Sequence, residues 1–318
     1  MTHRFRFLAP MPSACGTASD WLDRVRRIED LGFDAVSVSE HLTSGWRLEA
    51  TTAMAAIVAA TTRLRVLSLV LANDFRHPVL VHKAAATIDY VSGGRLELGL
   101  GAGWLERDYA AAGIPFESAG VRIERLGEAV AIIKGLFEAQ TFSFAGRHYR
   151  VTDIQGLPRP TQLPHPPILI GGGGPRILGL AAREADIIGI HARLDDTSIG
   201  PATTRDLAEE AVAEKVGLVA AALEAAGRSH DDIELQLTIY ECRITDRRSP
   251  GGVESSSFSR FLRADPALLA HSPAVLVGSL TACVERLLEL RDRFGFSVFK
   301  LSGDPEATAP IVAALAGR

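Results

Sequence analysis

The sequence predicts an α/β protein with the (β/α)8 TIM-barrel fold, formed by residues 1–318 as a single domain. Eight short apolar runs rich in β-favouring residues alternate with segments whose apolar residues recur at helical spacing. No obvious linker divides the chain, and α/β barrels reach this length as one domain. Insertions are predicted after the fourth and the seventh strand.

The first half of the chain supplies four predicted strands. Ser19 is expected to cap the first helix, Pro78 to begin the third, and Gly93 to end it. The run 64–71 is almost entirely apolar, which is typical of a parallel strand buried on both faces. The predicted elements are strands 5–8, 35–38, 64–71 and 96–100 and helices 19–31, 48–60 and 78–92.

The second half continues the alternation around the two insertions. The first insertion is predicted as a turn at 104–111, a helix at 121–137, a hairpin (141–144 with 148–151) and a proline-rich connector. The second is a loop at 249–259 followed by a helical piece up to residue 271. The remaining predicted elements are strands 168–170, 185–190, 233–240 and 297–301, a helix beginning near 175, and helices 203–226, 280–294 and 305–315.

Composition excludes several classes of protein. A net charge of −4 and a pI near 6.2 provide no basic field for nucleic acid or anionic lipid. Cys15, Cys242 and Cys283 have neither disulfide-framework nor zinc-site spacing, and no apolar run is long enough to span a membrane. We expect a cytoplasmic protein without a bound metal, which acts on a small molecule and not on nucleic acid or a membrane.

Two polar residues follow the second predicted strand. Active sites of barrels lie at the C-terminal ends of the strands, which is where Glu40 and His41 fall. An imidazole can exchange a proton near neutral pH, and a neighbouring carboxylate can orient a partner. A histidine satisfied by backbone groups is the alternative interpretation.

Three further strand ends are candidates for ligand binding. The turn 99–103 follows strand four with the pattern GLGAG, which is not the GxGxxG dinucleotide fingerprint, so a plain tight turn is the alternative. Gly171, Gly172, Gly173 and Gly174 precede Pro175 at a predicted helix start, where backbone N–H groups suit a phosphate. The third is the end of strand three, residues 69–73.

Four motifs resemble the bacterial luciferase-like superfamily, and more narrowly its coenzyme F420-dependent branch. They are GFDAVSVSEH (32–41), the run 61–104, DYAAAGIPF (108–116) and PPILIGGGGPRILGLAAREADIIGI (166–190). They occur in the order typical of that superfamily and cover about the first 190 residues.

The resemblance implies a barrel that binds a flavin-type cofactor at its C-terminal face and forms a homodimer. It implies that His41 lies beside the ring and the substrate, and that residues 69–71 hold a non-prolyl cis peptide behind the ring. Sugar-phosphate dehydrogenases of the F420 branch have a glutamate where this chain has Trp104, which argues against sugar-phosphate oxidation. The predicted cofactor-binding residues are Leu69, Val70, Leu71, Asn73, Gly101, Gly103, Trp104, Gly171, Gly172, Gly173 and Gly174.

The resulting functional hypothesis is hydride transfer between F420 and an alcohol, an imine or an activated C=C bond, with His41 and Glu40 as catalytic residues. A monooxygenase that uses reduced FMN and oxygen is the alternative enzyme. A non-catalytic flavin-binding protein on the same fold is the third interpretation.

Overall fold

A computed structural model describes residues 3–43, 45, 48–193, 200–245 and 271–318. The predicted loop at 249–259 and the helical piece after it lie outside these residues. The main sheet is a closed parallel barrel of eight strands with helices between them, which confirms the predicted fold class. By its internal contacts the chain divides into two compact units, each built from discontinuous segments.

The strands and helices are numbered here in chain order. The strands are β1 (Arg6–Pro10), β2 (Ala35–Val38), β3 (Arg65–Ser68), β4 (Leu71–Ala72), β5 (Leu96–Gly101), β6 (Phe142–Ala145), β7 (Arg150–Ile154), β8 (Ile168–Gly172), β9 (Ile187–Ile190), β10 (Glu234–Ile239), β11 (Glu241–Ile244), β12 (Val275–Gly278) and β13 (Phe296–Leu301). The helices are α1 (Ala18–Asp30), α2 (Ala50–Ala60), α3 (Pro78–Ser92), α4 (Glu106–Ala112), α5 (Ala119–Glu138), α6 (Pro175–Glu184), α7 (Pro201–Asp206), α8 (Glu209–Ala225), α9 (Leu280–Phe294) and α10 (Pro305–Leu315).

The first unit comprises Met1–Pro10, Arg27–Val36 and Gly172–Arg318. Its parallel strands lie in the order β1, β13, β10, β9, and β11 pairs with β12 as a separate two-stranded sheet. Phe7 stacks on Phe299 with ring centroids 6.3 Å apart, and Phe5 lies under the guanidinium of Arg291 in α9. One face of these strands therefore packs against the helical layer.

The second unit comprises Met11–Arg26 and Ser37–Gly171. In it β5 pairs with β3, β4 and β8. The antiparallel hairpin β6–β7 packs on α5, because Val151 is buried together with Ile132 and Leu136. Glu128 of α5 fixes the hairpin turn by accepting hydrogen bonds from the backbone N–H groups of residues 147–149.

Several predicted boundaries need correction. The first helix is capped by Thr17 and not by Ser19, because the Thr17 hydroxyl accepts from the N–H of Asp20 while the Asp20 carboxylate accepts from the N–H of Thr17. The predicted strand 64–71 is two strands, β3 and β4. The predicted turn at 104–111 is helix α4, and the predicted long helix 203–226 is interrupted between α7 and α8.

Candidate active site

His41 lies just beyond the C-terminal end of β2, as the sequence predicted. The four residues of β2 are fully buried, and the chain leaves the strand through Ser39 and Glu40. The side chain of His41 is 17% exposed, so the imidazole is largely shielded but still reaches solvent. The side chains that contact the imidazole belong to the second unit and come later in the sequence.

A buried carboxylate holds the imidazole. Nδ1 of His41 lies 2.8 Å from Oδ2 of Asp108, a residue of α4 that is 1% exposed. The other carboxylate oxygen, Oδ1, accepts from the backbone N–H of Thr43 at 3.0 Å and from the Thr43 hydroxyl. Sequence reasoning did not select Asp108, although it stands first in one of the family-like motifs.

These hydrogen bonds fix the charge of Asp108 and the tautomer of His41. Burial on its own would raise the pKa of Asp108, but the hydrogen bonds from Thr43 and His41 outweigh it and hold the pKa below its ordinary value. An ionised carboxylate can only accept, so the imidazole donates from Nδ1. In the neutral ring Nε2 is therefore the basic nitrogen.

Trp104 forms one wall beside this pair. Its ring meets the His41 ring edge to face, with centroids 5.7 Å apart and an interplanar angle of 86°. Trp104 is half-buried and directly follows Gly103 at the end of the β5 turn. The structure thus brings together two predicted site residues, Trp104 and His41.

Glu40 is held by Arg76 and by a backbone N–H group. One carboxylate oxygen lies 2.5 Å from Nη1 of Arg76, and the other accepts from the N–H of Ala72 at 3.0 Å. Burial raises the pKa of Glu40 against the opposing effect of Arg76. Arg76 also pairs with Glu49, the N-cap of α2. Glu40 therefore joins the end of β2 to the segment after β4, while Asp108 orients His41.

The segment between β3 and β4 contains the non-prolyl cis peptide implied by the resemblance, at Leu69–Val70. The glycines of β5 make room for this segment. A Cβ at Gly99 would lie 1.8 Å from the carbonyl oxygen of Ser68, and one at Gly101 would lie 2.6 Å from Cγ2 of Val70. Gly101 is therefore needed so that the segment between β3 and β4 can pack closely against β5.

Gly103 makes room for a buried tyrosine. Its φ is +76°, and a Cβ there would lie 1.8 Å from the hydroxyl of Tyr109. Tyr109 is 1% exposed and donates towards Oδ2 of Asp74 at 3.3 Å. Asp74 in turn lies 2.9 Å from Nη1 of Arg125. The turn after β5 is thus packed directly on the helix that carries Asp108.

Asn73 connects the end of β4 to the hairpin. It is 2% exposed, and its side-chain amide donates to the hydroxyl of Tyr149 at 3.3 Å. The Tyr149 ring also meets the ring of His77 edge to face. One N–H of the predicted cofactor-binding amide is therefore engaged within the protein.

The glycine run is part strand and part turn. Gly171 and Gly172 belong to β8, so the predicted four-glycine turn is reduced to Gly173 and Gly174. A Cβ at Gly173 would lie 2.5 Å from the carbonyl oxygen of His191, whereas at Gly174 it would find only Nε of Arg193, at 3.9 Å. Gly174 is the N-cap of α6. This open helix N-terminus beside a guanidinium fits the phosphate of a flavin-type cofactor.

Within the described ranges no three His, Cys, Asp or Glu side chains cluster in a way that could hold a metal ion. Of the helices that the structure describes, none is both long and apolar enough to cross a bilayer.

The barrel fold and the family of the chain together define its class, the flavin- or deazaflavin-dependent oxidoreductases and monooxygenases. The sequence matches the model of the luciferase-like monooxygenase family over residues 5–296, and the chain belongs to this family.

Relatives within this family use different cofactors. The chain is 32% identical over 180 residues to an FMNH2-dependent dimethylsulfone monooxygenase of Pseudomonas putida, covering 53% of this chain and 49% of the relative. It is 30% identical over 240 residues to an F420-dependent glucose-6-phosphate dehydrogenase of Intrasporangium calvum, covering 72% and 66%. The alignments to the first relatives thus span about half of their length.

The fold is also that of known structures. An F420-dependent secondary alcohol dehydrogenase, solved with an F420–acetone adduct, superposes with a TM-score of 0.76 at 17% identity, covering 98% of both chains. At this identity the likeness concerns the fold.

Proposed function

We propose that this chain is a coenzyme F420-dependent oxidoreductase acting on a small alcohol, imine or activated C=C bond. The bound deazaflavin would supply or accept the hydride. The observation that carries the proposal is the His41–Asp108 pair, because hydride transfer to or from such substrates must be accompanied by proton transfer at a neighbouring atom.

His41 is the proposed proton carrier. In alcohol oxidation Nε2 of His41 would accept the hydroxyl proton of the substrate, and in reduction the protonated ring would return a proton to the substrate. The ionised Asp108 stabilises the imidazolium that forms, because the charged ring still donates from Nδ1. Glu40 contributes by holding the chain that carries His41.

The cofactor ring is proposed to contact the predicted residues Leu69, Val70, Leu71 and Trp104 of the second unit. For a phosphate group the proposal is the turn at Gly174 in the first unit, where Nε of Arg193 lies 3.9 Å from the position of a Cβ. Arg193 is exposed, so its guanidinium can adjust to an anion. The glucose-6-phosphate dehydrogenase relative, whose alignment covers 72% of this chain, supports the deazaflavin.

A monooxygenase using reduced FMN is the second candidate, favoured by the 32% identity to the dimethylsulfone enzyme. Parallel titrations of the purified protein with F420 and FMN, followed by calorimetry, decide between them. Tight F420 binding with weak FMN binding supports hydride transfer. The reverse preference, with substrate-dependent oxygen consumption in the presence of reduced FMN, would overturn the proposal.

We further propose a homodimer. Helix α3 exposes three large apolar side chains, Leu80 (62%), Tyr90 (66%) and Val91 (57%). Exposed apolar side chains on one helix are typical of a surface that another protein covers. A second copy of this chain is the proposed partner.

A further inference from the structure

Three neighbouring strands of the first unit carry polar side chains in one row. Leu237 of β10 is in register with Ile190 of β9, and Thr238 is in register with Lys300 of β13. His191 follows Ile190 directly, so His191, Thr238 and Lys300 occupy equivalent positions at the C-terminal ends of the three strands. Residues in register on adjacent parallel strands point to the same side of the sheet.

This row lies on the face opposite the helices. The alternate residues of the same strands, such as Phe299, stack with Phe7 and Phe5 in the layer where Arg291 of α9 lies 4.1 Å from the Phe5 ring centroid. Two residues earlier on the row's own face, Gln236 donates from Nε2 to the hydroxyl of Thr238 at 3.2 Å. The row therefore lies at the C-terminal end of a polar face of these strands, on the side away from the helices.

The charge of Lys300 is not balanced within the part of the chain that the structure describes. No carboxylate there lies within ion-pair distance of its ammonium, although the side chain is half-buried. Lys215 shows the contrast, because its Nζ lies 2.7 Å from Oδ2 of Asp206. Burial lowers the pKa of Lys300 to about 8, so the ammonium form still predominates at pH 7.

All three side chains can donate hydrogen bonds to a ligand. Burial, followed by the charges of Lys300 and Lys215, lowers the pKa of His191 to about 4, so its ring is neutral at pH 7 and carries one N–H. The Thr238 hydroxyl accepts from Gln236 and keeps its own hydrogen for donation. An ammonium, a hydroxyl and an imidazole N–H together suit a group with several acceptor oxygens and a negative charge.

We propose that His191, Thr238 and Lys300 bind an anionic group of the substrate, a carboxylate, phosphate or sulfonate. Binding of this kind would restrict the substrate to compounds that carry such an anionic group. That the bound anion belongs to a substrate rests on the proposed function, whereas anion binding itself can be measured without turnover. Because the Gly174 turn is a separate candidate for the cofactor phosphate, the two anion sites must be distinguished.

The test is calorimetric titration of inorganic phosphate into protein already saturated with whichever cofactor binds, F420 or FMN, so that the Gly174 turn is occupied. We expect phosphate to bind, and K300M and T238V to weaken it, K300M by about tenfold or more. K300R should retain binding. K83M, which removes an exposed lysine on α3, is the matched control and should leave phosphate affinity unchanged.

Two results would overturn the site. One is equal phosphate affinity in K300M and the wild type. The other is loss of phosphate binding once the cofactor is saturating, because the row would then hold the cofactor's own phosphate. A failure of the proposed function shows differently, as retained Lys300-dependent phosphate binding with no cofactor-dependent turnover. Melting curves of all variants check that each is folded.

Discussion

Replacing Asp108 with asparagine tests the function of the His41 pair while hardly changing its shape. Both hydrogen-bond donors of Thr43 point at Oδ1 of Asp108. In D108N the amide oxygen must stay at that position, because turning the NH2 group towards Thr43 would set donors against each other. The NH2 group is then left facing Nδ1 of His41, where the carboxylate oxygen was 2.8 Å away.

This arrangement reverses the tautomer of the neutral imidazole. Nδ1 must accept from the amide, so the proton moves to Nε2 and the nitrogen proposed to take the substrate proton loses its lone pair. The lost charge-assisted hydrogen bond is worth about 1.5–3 kcal/mol, which corresponds to a decrease in kcat of about 10- to 150-fold. The effect on KM should be small, because Asp108 is buried and contacts Nδ1 of the ring, not the proposed proton-transferring Nε2.

The tautomer can be measured without knowing the substrate. Nitrogen-15 NMR of protein labelled at histidine should report a protonated Nδ1 for His41 in the wild type and a protonated Nε2 in D108N, both at pH 7.5. Once a substrate is found, kcat is compared with that of D23N, which alters an exposed aspartate paired with Arg26. Our reasoning is refuted if D108N keeps the wild-type tautomer and a kcat within twofold of the wild type.

Three further predictions concern stability and assembly. G99A should lower the unfolding free energy by about 3 kcal/mol, because its Cβ would lie 1.8 Å from the Ser68 carbonyl oxygen. The control G217A, in open space on α8, should not destabilise the protein, and equal melting temperatures for the two variants would contradict the prediction. E49A should cost about 0.5–1 kcal/mol at pH 7, because burial is outweighed by hydrogen bonds from residues 51 and 52 that hold the pKa of Glu49 at about 2. A lowered carboxyl pKa stabilises above its ordinary value of 4.5, so the melting difference should shrink as pH falls from 4.5 towards 2, and a difference independent of pH would count against it. L80K should convert the proposed dimer to a monomer in light scattering, and an unchanged mass would place the interface elsewhere.

Elements with local signals were predictable from the sequence. The two last helices were predicted with the bounds that the structure has, Leu280–Phe294 and Pro305–Leu315. The Ser279 hydroxyl caps the first, Gly295 ends it with a φ of 81°, and Asp304 caps the second. Each signal acts within four residues, so the sequence displays it directly.

Elements interrupted by contacts with distant residues could not be predicted from the sequence. The predicted helix 203–226 breaks after α7, where the hydroxyl of Ser272 donates to the carbonyl oxygen of Leu207 at 2.6 Å, 65 residues away in the sequence. The predicted strand 64–71 is interrupted between Ser68 and Leu71, where Val70 packs closely against Gly101 of β5. Neither partner can be recognised from the local pattern.

The candidate site likewise contains one residue that the local sequence indicates and one that only the folded chain reveals. His41 was predicted because it follows a buried strand, and a barrel places the C-terminal ends of its strands, with the active site, at one end. Asp108 is 67 residues further on, within a segment predicted as a turn, and an aspartate there resembles any first-turn helix residue. Its significance comes from burial and from the direction of its carboxylate, which only the folded chain determines.

Two consecutive residues at the end of β2 are therefore held by different parts of the second unit. Glu40 is bound by Arg76 and the Ala72 N–H after β4, and His41 by Asp108 on α4. The first contact fixes where the backbone leaves the strand, and the second fixes the orientation and protonation of the ring. Since each uses a buried carboxylate with its own set of donors, position and tautomer can be perturbed separately. An imidazole that transfers a proton needs both, so under the proposed function a mutation at either carboxylate should reduce turnover, Glu40 through the position of the ring and Asp108 through its tautomer.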